Sequence, residues 1–143
     1  MLIGIPGSGK STLAESLAKS YNAVLISTDQ LRFQYTGSEA NRTRDGLVFA
    51  AAHQKIRSLL EEDTNVIYDA TNISLKERKR ILTLLPERTL RKCYFKRVSL
   101  SAALNRNAQR KRIVPEQVIL KMYENLQPPT HQEGWDEIKV IQD

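Results

Sequence analysis

Nine consecutive residues, Gly4 to Thr12 (GIPGSGKST), carry the residue types that handle phosphate groups. Gly4, Gly9, Lys10 and Ser11 fall in the G-x-x-x-x-G-K-[ST] spacing. Glycines let the backbone turn tightly enough for successive N–H groups to face a phosphate, and a helix starting at that point adds its positive end. In such a loop Gly7, Ser8, Gly9 and Thr12 belong to the cradle, and Lys10 reaches the β- and γ-phosphates. Ser11 supplies a hydroxyl for Mg²⁺, a hard cation that takes few protein oxygens beside the phosphates. The implied ligand is ATP with Mg²⁺.

A phosphate loop leaves open whether ATP is hydrolysed, used as a donor or only bound, so residues elsewhere must decide. Water-activating acids often follow directly on the strand-terminal Asp, whereas here Asp69 is followed by Ala70. Transfer to a hydroxyl needs a carboxylate to take the proton and cations around the moving phosphoryl group. Asp29 with Arg32 one helical turn later offers a base beside a cation. Asp69, Thr71 and Asn72, in the segment DATN, are placed to contact either a water on Mg²⁺ or the acceptor. Arg106 and Arg110, one turn apart on a basic helix, present two guanidiniums to phosphates.

These residues need strands that end, and helices that begin, at one place. Met1 to Ile3 is a short apolar strand, and Leu13, Ala14, Leu17 and Ala18 give the first helix its apolar face. Ala23 to Ile26 reads as a second strand, with Ser27 or Thr28 capping the helix that follows. After a loop around Gly37 to Asp45, Leu47, Val48, Ala51, Ala52, Ile56, Leu59 and Leu60 recur at helical spacing and predict the longest helix. Val66 to Tyr68 is a third strand ending at Asp69, and Ser74 to Leu85 a helix stopped by Pro86. A fourth strand lies near Leu90 to Val98, a basic helix over Ser99 to Arg112, and another from Pro115 to before Pro128 and Pro129. Ile138 to Ile141 is the last strand. Such alternation predicts an α/β three-layer sandwich, a mainly parallel five-stranded sheet with helices on both faces and a helical lid. Ligands sit at the carboxyl ends of such strands.

Composition is consistent with one domain spanning residues 1–143: 41% hydrophobic and 27% charged residues are globular proportions. No apolar run reaches the roughly 20 residues of a membrane span, and no signal peptide precedes the loop, so the expectation is a cytoplasmic protein without a membrane partner. Cys93 is the only cysteine and lies in an apolar strand, and His53 and His131 have no companion at metal-ligand spacing. The net charge of +6 is uneven. Lys76 to Arg112 holds 13 Lys and Arg against Glu77 and Glu87, a local +11, while the rest has 9 basic and 14 acidic residues. That excess favours a polyanionic partner, although Arg78, Lys79 and Arg80 by themselves read as a solvated helix face. Phe33 and Trp135 are candidates to stack a base or to pack in the core.

Taken in order, GIPGSGKST, STDQLR, VIYDATN and RNAQRKRIVP resemble the motif set of the 5′-hydroxyl polynucleotide kinases over almost the whole chain. The resemblance implies a P-loop NTPase-type kinase fold, ATP as phosphoryl donor and a nucleic acid 5′-OH end, on RNA or DNA, as acceptor. It implies that Lys10 contacts the β- and γ-phosphates, Ser11 meets Mg²⁺, Asp29 is the general base and Arg32 meets the acceptor's 3′-phosphate. Arg110 becomes the lid arginine and Asp69 a carboxylate on the acceptor side. The interval from Arg110 to Val114 and Pro115 is one residue shorter than in the phage member of the family, so Arg106 or Arg112 is expected to share the lid's work. Two other readings use the same residues: a kinase for a small-molecule hydroxyl, and a non-catalytic ATP-binding module.

Overall fold

Alternate residues of the central strands point to opposite faces of the sheet, and each face is covered by its own helices. The computed structural model describes all residues, 1–143. Its strands are β1 (Leu2–Ile3), β2 (Val24–Ser27), β3 (Val66–Asp69), β4 (Lys92–Arg97) and β5 (Glu137–Gln142). Its helices are α1 (Lys10–Ser20), α2 (Thr28–Thr36), α3 (Asp45–Glu61), α4 (Leu75–Leu82), α5 (Leu100–Ala108) and α6 (Glu116–Asn125). On one face Leu2, Ile67 and Tyr94 pack with Ala14 of α1. On the other, Ile26 and Tyr68 pack with Ala52 and Ile56 of α3 and Ile81 of α4, and Ile3, Cys93 and Phe95 with Leu82 and Trp135. This period of two is what a parallel sheet buried on both sides requires.

Every strand pairing is parallel: β2 with β3, β1 with β4, and β4 with β5. The expected five-stranded layer is built from two ladders, β1-β4-β5 and β2-β3. β1 is only two residues long before the chain turns into the phosphate loop, and those residues ladder with β4 but not with β3. Two bonds close the seam instead: Gly4 N–H donates to the Thr71 carbonyl at 3.0 Å, and Asn72 Nδ2 donates to the Leu2 carbonyl at 2.8 Å.

Two local expectations change. The basic helix expected over Ser99 to Arg112 ends at Ala108, because the buried Asn107 side chain accepts from Val114 N–H at 3.0 Å and donates to Val114 O at 2.8 Å. That clasp turns residues 109–113 into a loop, so Arg106 and Arg110 are not neighbours on one helix. Arg78 is not solvated. It is fully buried, donating to both Glu133 oxygens at 2.8 and 2.7 Å and to the carbonyls of Asn72, Ile73 and Gln127. Trp135 packs in the core with its indole N–H donated to Glu133 Oε2 at 3.0 Å, while Phe33 is 57% exposed.

Cys93 is buried inside β4. His53 lies between the Phe49 and Tyr68 rings, and no group of three or more His, Cys, Asp or Glu side chains forms a metal cluster. No helix is long and apolar enough to cross a membrane.

Candidate active site

The loop between β1 and α1 is shaped by two left-handed glycines. Gly7 has φ +81° and Gly9, which caps α1, has φ +86°. At Gly7 the missing side chain also makes room for a neighbour, since a Cβ there would lie 2.3 Å from the Ala103 carbonyl oxygen of α5. The loop is thus packed directly beneath α5. Ser8 is fully buried with its Oγ unpartnered by any protein group.

Lys10 and Ser11 open α1 and line a cleft at the carboxyl ends of β2 and β3. The opposite walls come from Asp29 and Arg32 of α2, Asp69 and Thr71 after β3, Arg42 and Phe49 around the start of α3, and Arg110, Arg112 and Val114 from the loop after α5. Burial pushes the Lys10 ammonium below its usual range; Asp69 and Asp29 oppose that shift and Arg110 adds to it. Ser11 Oγ donates to Asp69 Oδ2 at 2.9 Å.

Asp29 stands in the first turn of α2 because Ser27 caps that helix, its Oγ accepting from Gln30 N–H at 3.4 Å. A carboxylate there is favoured by the positive end of the helix. Asp29 is 41% exposed and is gripped from two sides. Arg32 Nη1 donates to its Oδ1 at 2.6 Å, and Arg112 Nη1 approaches its Oδ2 at 3.2 Å. Arg112 also meets Glu39 at 3.1 Å. Arg32 is buried at 2% exposure, with Nε donated to Asp45 Oδ1 at 2.6 Å, while Arg42 takes the other Asp45 oxygen at 3.3 Å.

Of the residues singled out by sequence, the cleft therefore gathers Lys10, Ser11, Asp29, Arg32, Asp69, Thr71 and Arg110. Gly7, Ser8 and Gly9 shape the loop beside it. Three lie elsewhere. Asn72, expected on the acceptor side, is buried with φ +48° and spends its amide on the Leu2 and Ala70 carbonyls. Arg106, expected among the phosphate-binding residues, pairs with Asp143 at 2.6 Å after β5. Thr12 is exposed on the first turn of α1 and is not in the cleft wall. Glu39, Arg42, Asp45 and Phe49 also border or brace the site without a motif to mark them: Glu39 meets Arg112, 73 residues away, and Asp45 meets Arg32, 13 residues away, while Arg42 and Phe49 sit beside near neighbours in sequence.

The donor set fits a nucleoside triphosphate and its magnesium ion. An orphaned buried hydroxyl at Ser8, a buried ammonium at Lys10 and free N–H groups at the start of α1 suit phosphate oxygens. The Ser11 hydroxyl and Asp69 carboxylate, side by side, are the hard oxygen donors a magnesium ion takes directly or through water.

Known proteins share this architecture. A family model described as an AAA domain matches residues 1–129. The L-seryl-tRNA(Sec) kinase of Methanococcus maripaludis is 25% identical over 142 residues, covering 95% of this chain and 55% of that protein. The chain thus spans about half the length of this curated relative. A gluconokinase from Sinorhizobium meliloti aligns with a TM-score of 0.71 at 20% identity, over 99% of this chain and 79% of the other. A chain in the Pnkp1/Rnl/Hen1 RNA repair complex aligns with a TM-score of 0.77 at 25% identity, over 87% of this chain and 42% of its own length. The fold is that of the P-loop kinases, a parallel α/β sheet with six helices.

Proposed function

Since the chain belongs to the AAA-domain family matched over residues 1–129, with a P-loop kinase fold, we propose that it is an ATP-dependent polynucleotide 5′-hydroxyl kinase. The observation that carries this reading is the carboxylate of Asp29, partly open to solvent, in the same cleft as Lys10 and Ser11 and braced by Arg32. Two of the similar proteins are named for RNA, one a seryl-tRNA kinase and one a member of an RNA repair complex.

In this mechanism the loop N–H groups, Lys10 and the start of α1 bind and orient the donor phosphates. Ser11 and Asp69 are the residues that would hold magnesium, which would supply positive charge against the charge developing on the phosphate oxygens. Arg32 fixes Asp29 Oδ1, which leaves Oδ2 as the oxygen that accepts the acceptor's proton. Arg112 Nη1, hydrogen-bonded to Glu39 and only in ion-pair contact with Oδ2 at 3.2 Å, leaves that oxygen a lone pair for the hydroxyl. The hydroxyl oxygen then bonds to the γ-phosphorus as the bond to the β–γ bridging oxygen breaks, and ADP leaves. Arg110 lines the cleft without an ion-pair partner, free to donate to the moving phosphoryl group. Thr71 borders the acceptor side, and Arg32 Nη2, which has no protein partner, is the donor left for the acceptor's 3′-phosphate.

Incubation with ATP, Mg²⁺ and a 5′-OH oligonucleotide tests the reading: transfer of the γ-phosphate to the 5′ end supports it, and no product at any ionic strength contradicts it. A small-molecule acceptor is the second reading, favoured by the internal pairing of Arg78, Arg88, Lys92, Lys96, Arg106 and Arg112, which lowers the basic excess a polyanion would meet. Efficient transfer to a free sugar or nucleoside with none to an oligonucleotide would select it.

A further inference from the structure

Six of the 13 basic residues between Lys76 and Arg112 are paired in three dimensions with carboxylates from other parts of the chain. Arg78 pairs with Glu133, Arg88 with Asp63, Lys92 with Glu137, Lys96 and Arg106 with Asp143, and Arg112 with Asp29 and Glu39. Of the seven cations left unpaired, Arg91, Arg97, Arg110 and Lys111 are spread over loops and the end of β4, and the other three form one compact group on a helix. Lys76, Lys79 and Arg80, at i, i+3 and i+4 on α4, share one exposed face and have no carboxylate within ion-pair distance. Together with Thr83 and Gln127 they line a shallow concave surface. The adjacent Glu77 does not neutralise them, because its carboxylate is turned back to accept from Ser74 N–H in a capping box.

This face connects to the cleft. Thr71 lines the cleft and α4 opens four residues later at Leu75, so Lys76 in its first turn is tied to the cleft by a short segment, while Phe49, also in the cleft wall, has its ring 6.4 Å from His53 one turn along α3. The three unpaired cations therefore begin within a few residues of the cleft wall where a 5′ end would react. Backbone phosphates meet cations and unstacked bases meet aromatic faces, so this sequence of groups matches a single strand leaving the cleft.

We propose that the exposed face of α4, through Lys76, Lys79 and Arg80, binds the phosphodiester backbone of a single-stranded acceptor beyond its 5′-terminal nucleotide. The proposal rests on the polynucleotide reading above and adds the surface that extends the acceptor site.

The test is the combined substitution Lys76→Ala, Lys79→Ala and Arg80→Ala, which keeps good helix formers on an exposed face. Steady-state transfer is measured with a nucleoside 3′-monophosphate and with an oligonucleotide of about ten nucleotides, a length spanning one single-strand site. The triple variant should keep kcat and the mononucleotide KM while the oligonucleotide KM rises about tenfold at low salt, and the slope of log KM against log salt should fall by about 2, near 0.7 per lost phosphate contact. Unchanged oligonucleotide KM and salt slope would overturn the proposal. If wild type phosphorylates neither acceptor, the kinase reading fails separately, and anisotropy of a 3′-labelled oligonucleotide with wild type and triple variant still decides the surface. Weaker binding by the variant supports it, equal binding refutes it, and tighter binding of a poly-glutamate peptide than of the oligonucleotide would reassign the face to an acidic protein.

Discussion

Arg32 holds Asp29 through a 2.6 Å contact from Nη1 to Oδ1 while its Nε holds Asp45 at the same distance, so one buried guanidinium joins the first turn of α2 to the first turn of α3. Arg32→Ala leaves two carboxylates facing each other without their shared cation. Breaking a buried pair costs about 3–5 kcal/mol, and the exposure of Asp29 puts this case near about 3. Urea unfolding should show that loss, with Arg32→Lys intermediate because an ammonium cannot serve both carboxylates in fork geometry. A loss under about 1 kcal/mol, the range of surface pairs, would mean that water replaces the guanidinium freely.

The two glycines of the phosphate loop should respond very differently to alanine. At Gly7 the added Cβ meets a backbone oxygen of α5 at 2.3 Å, which can be relieved only by moving the helix off the loop. At Gly9 the nearest atom is the end of the Lys96 side chain at 3.7 Å, leaving only the left-handed strain of about 1–2 kcal/mol. Gly7→Ala should therefore lower the melting temperature more than Gly9→Ala and weaken ATP binding by calorimetry. Equal shifts would show that α5 yields to the loop.

The Arg78–Glu133 bridge gives a pH signature. Burial by itself would raise the Glu133 carboxyl, but the Arg78 donors, with help from Trp135 and Thr130, hold it below the usual glutamate value. Its contribution to stability is fully present above the unfolded pKa near 4.5 and is lost as pH falls through the lower folded value. Glu133→Gln should cost about 3–5 kcal/mol at neutral pH and flatten the acid limb of the stability curve. An unchanged acid limb in the variant would contradict this role.

Burial raises the Cys93 thiol to about 11. Thiolate reagents at pH 8 should leave the folded protein unmodified and react once urea unfolds it. Because the folded state keeps its proton longer than the unfolded state, this group makes stability fall as pH rises from about 9 to about 11. Rapid native-state labelling at pH 8 would show that β4 opens.

Much of this was legible along the chain where the signal is local. The phosphate loop, the strand-end Asp69 and the buried Cys93 depend on contiguous residues, and the parallel α/β order follows from alternating apolar runs. Long-range pairings were not legible. Arg78 sits between Glu77 and Lys79 in a charged run that looks solvated, yet its position on α4 faces inward and its partner is 55 residues away. The helix that the sequence predicts over Ser99 to Arg112 ends at Ala108, and nothing local reveals that Asn107 clasps Val114. Asn72 carries the polarity of a binding residue, but the shortness of β1 leaves a seam beside β3 that its amide is needed to close. Asp45, 13 residues beyond Arg32, was legible only as the end of a loop.

Asp29 as the proton acceptor is the centre of the account, and Asp29→Asn tests it most directly. Asn keeps the shape and still accepts from Arg32, but it cannot take a proton. Single-turnover transfer to a 5′-OH oligonucleotide should fall by about 10²–10⁴, the usual worth of a positioned base, while ATP affinity measured on the same sample stays within about twofold. Transfer by Asp29→Asn at the wild-type rate would contradict the mechanism.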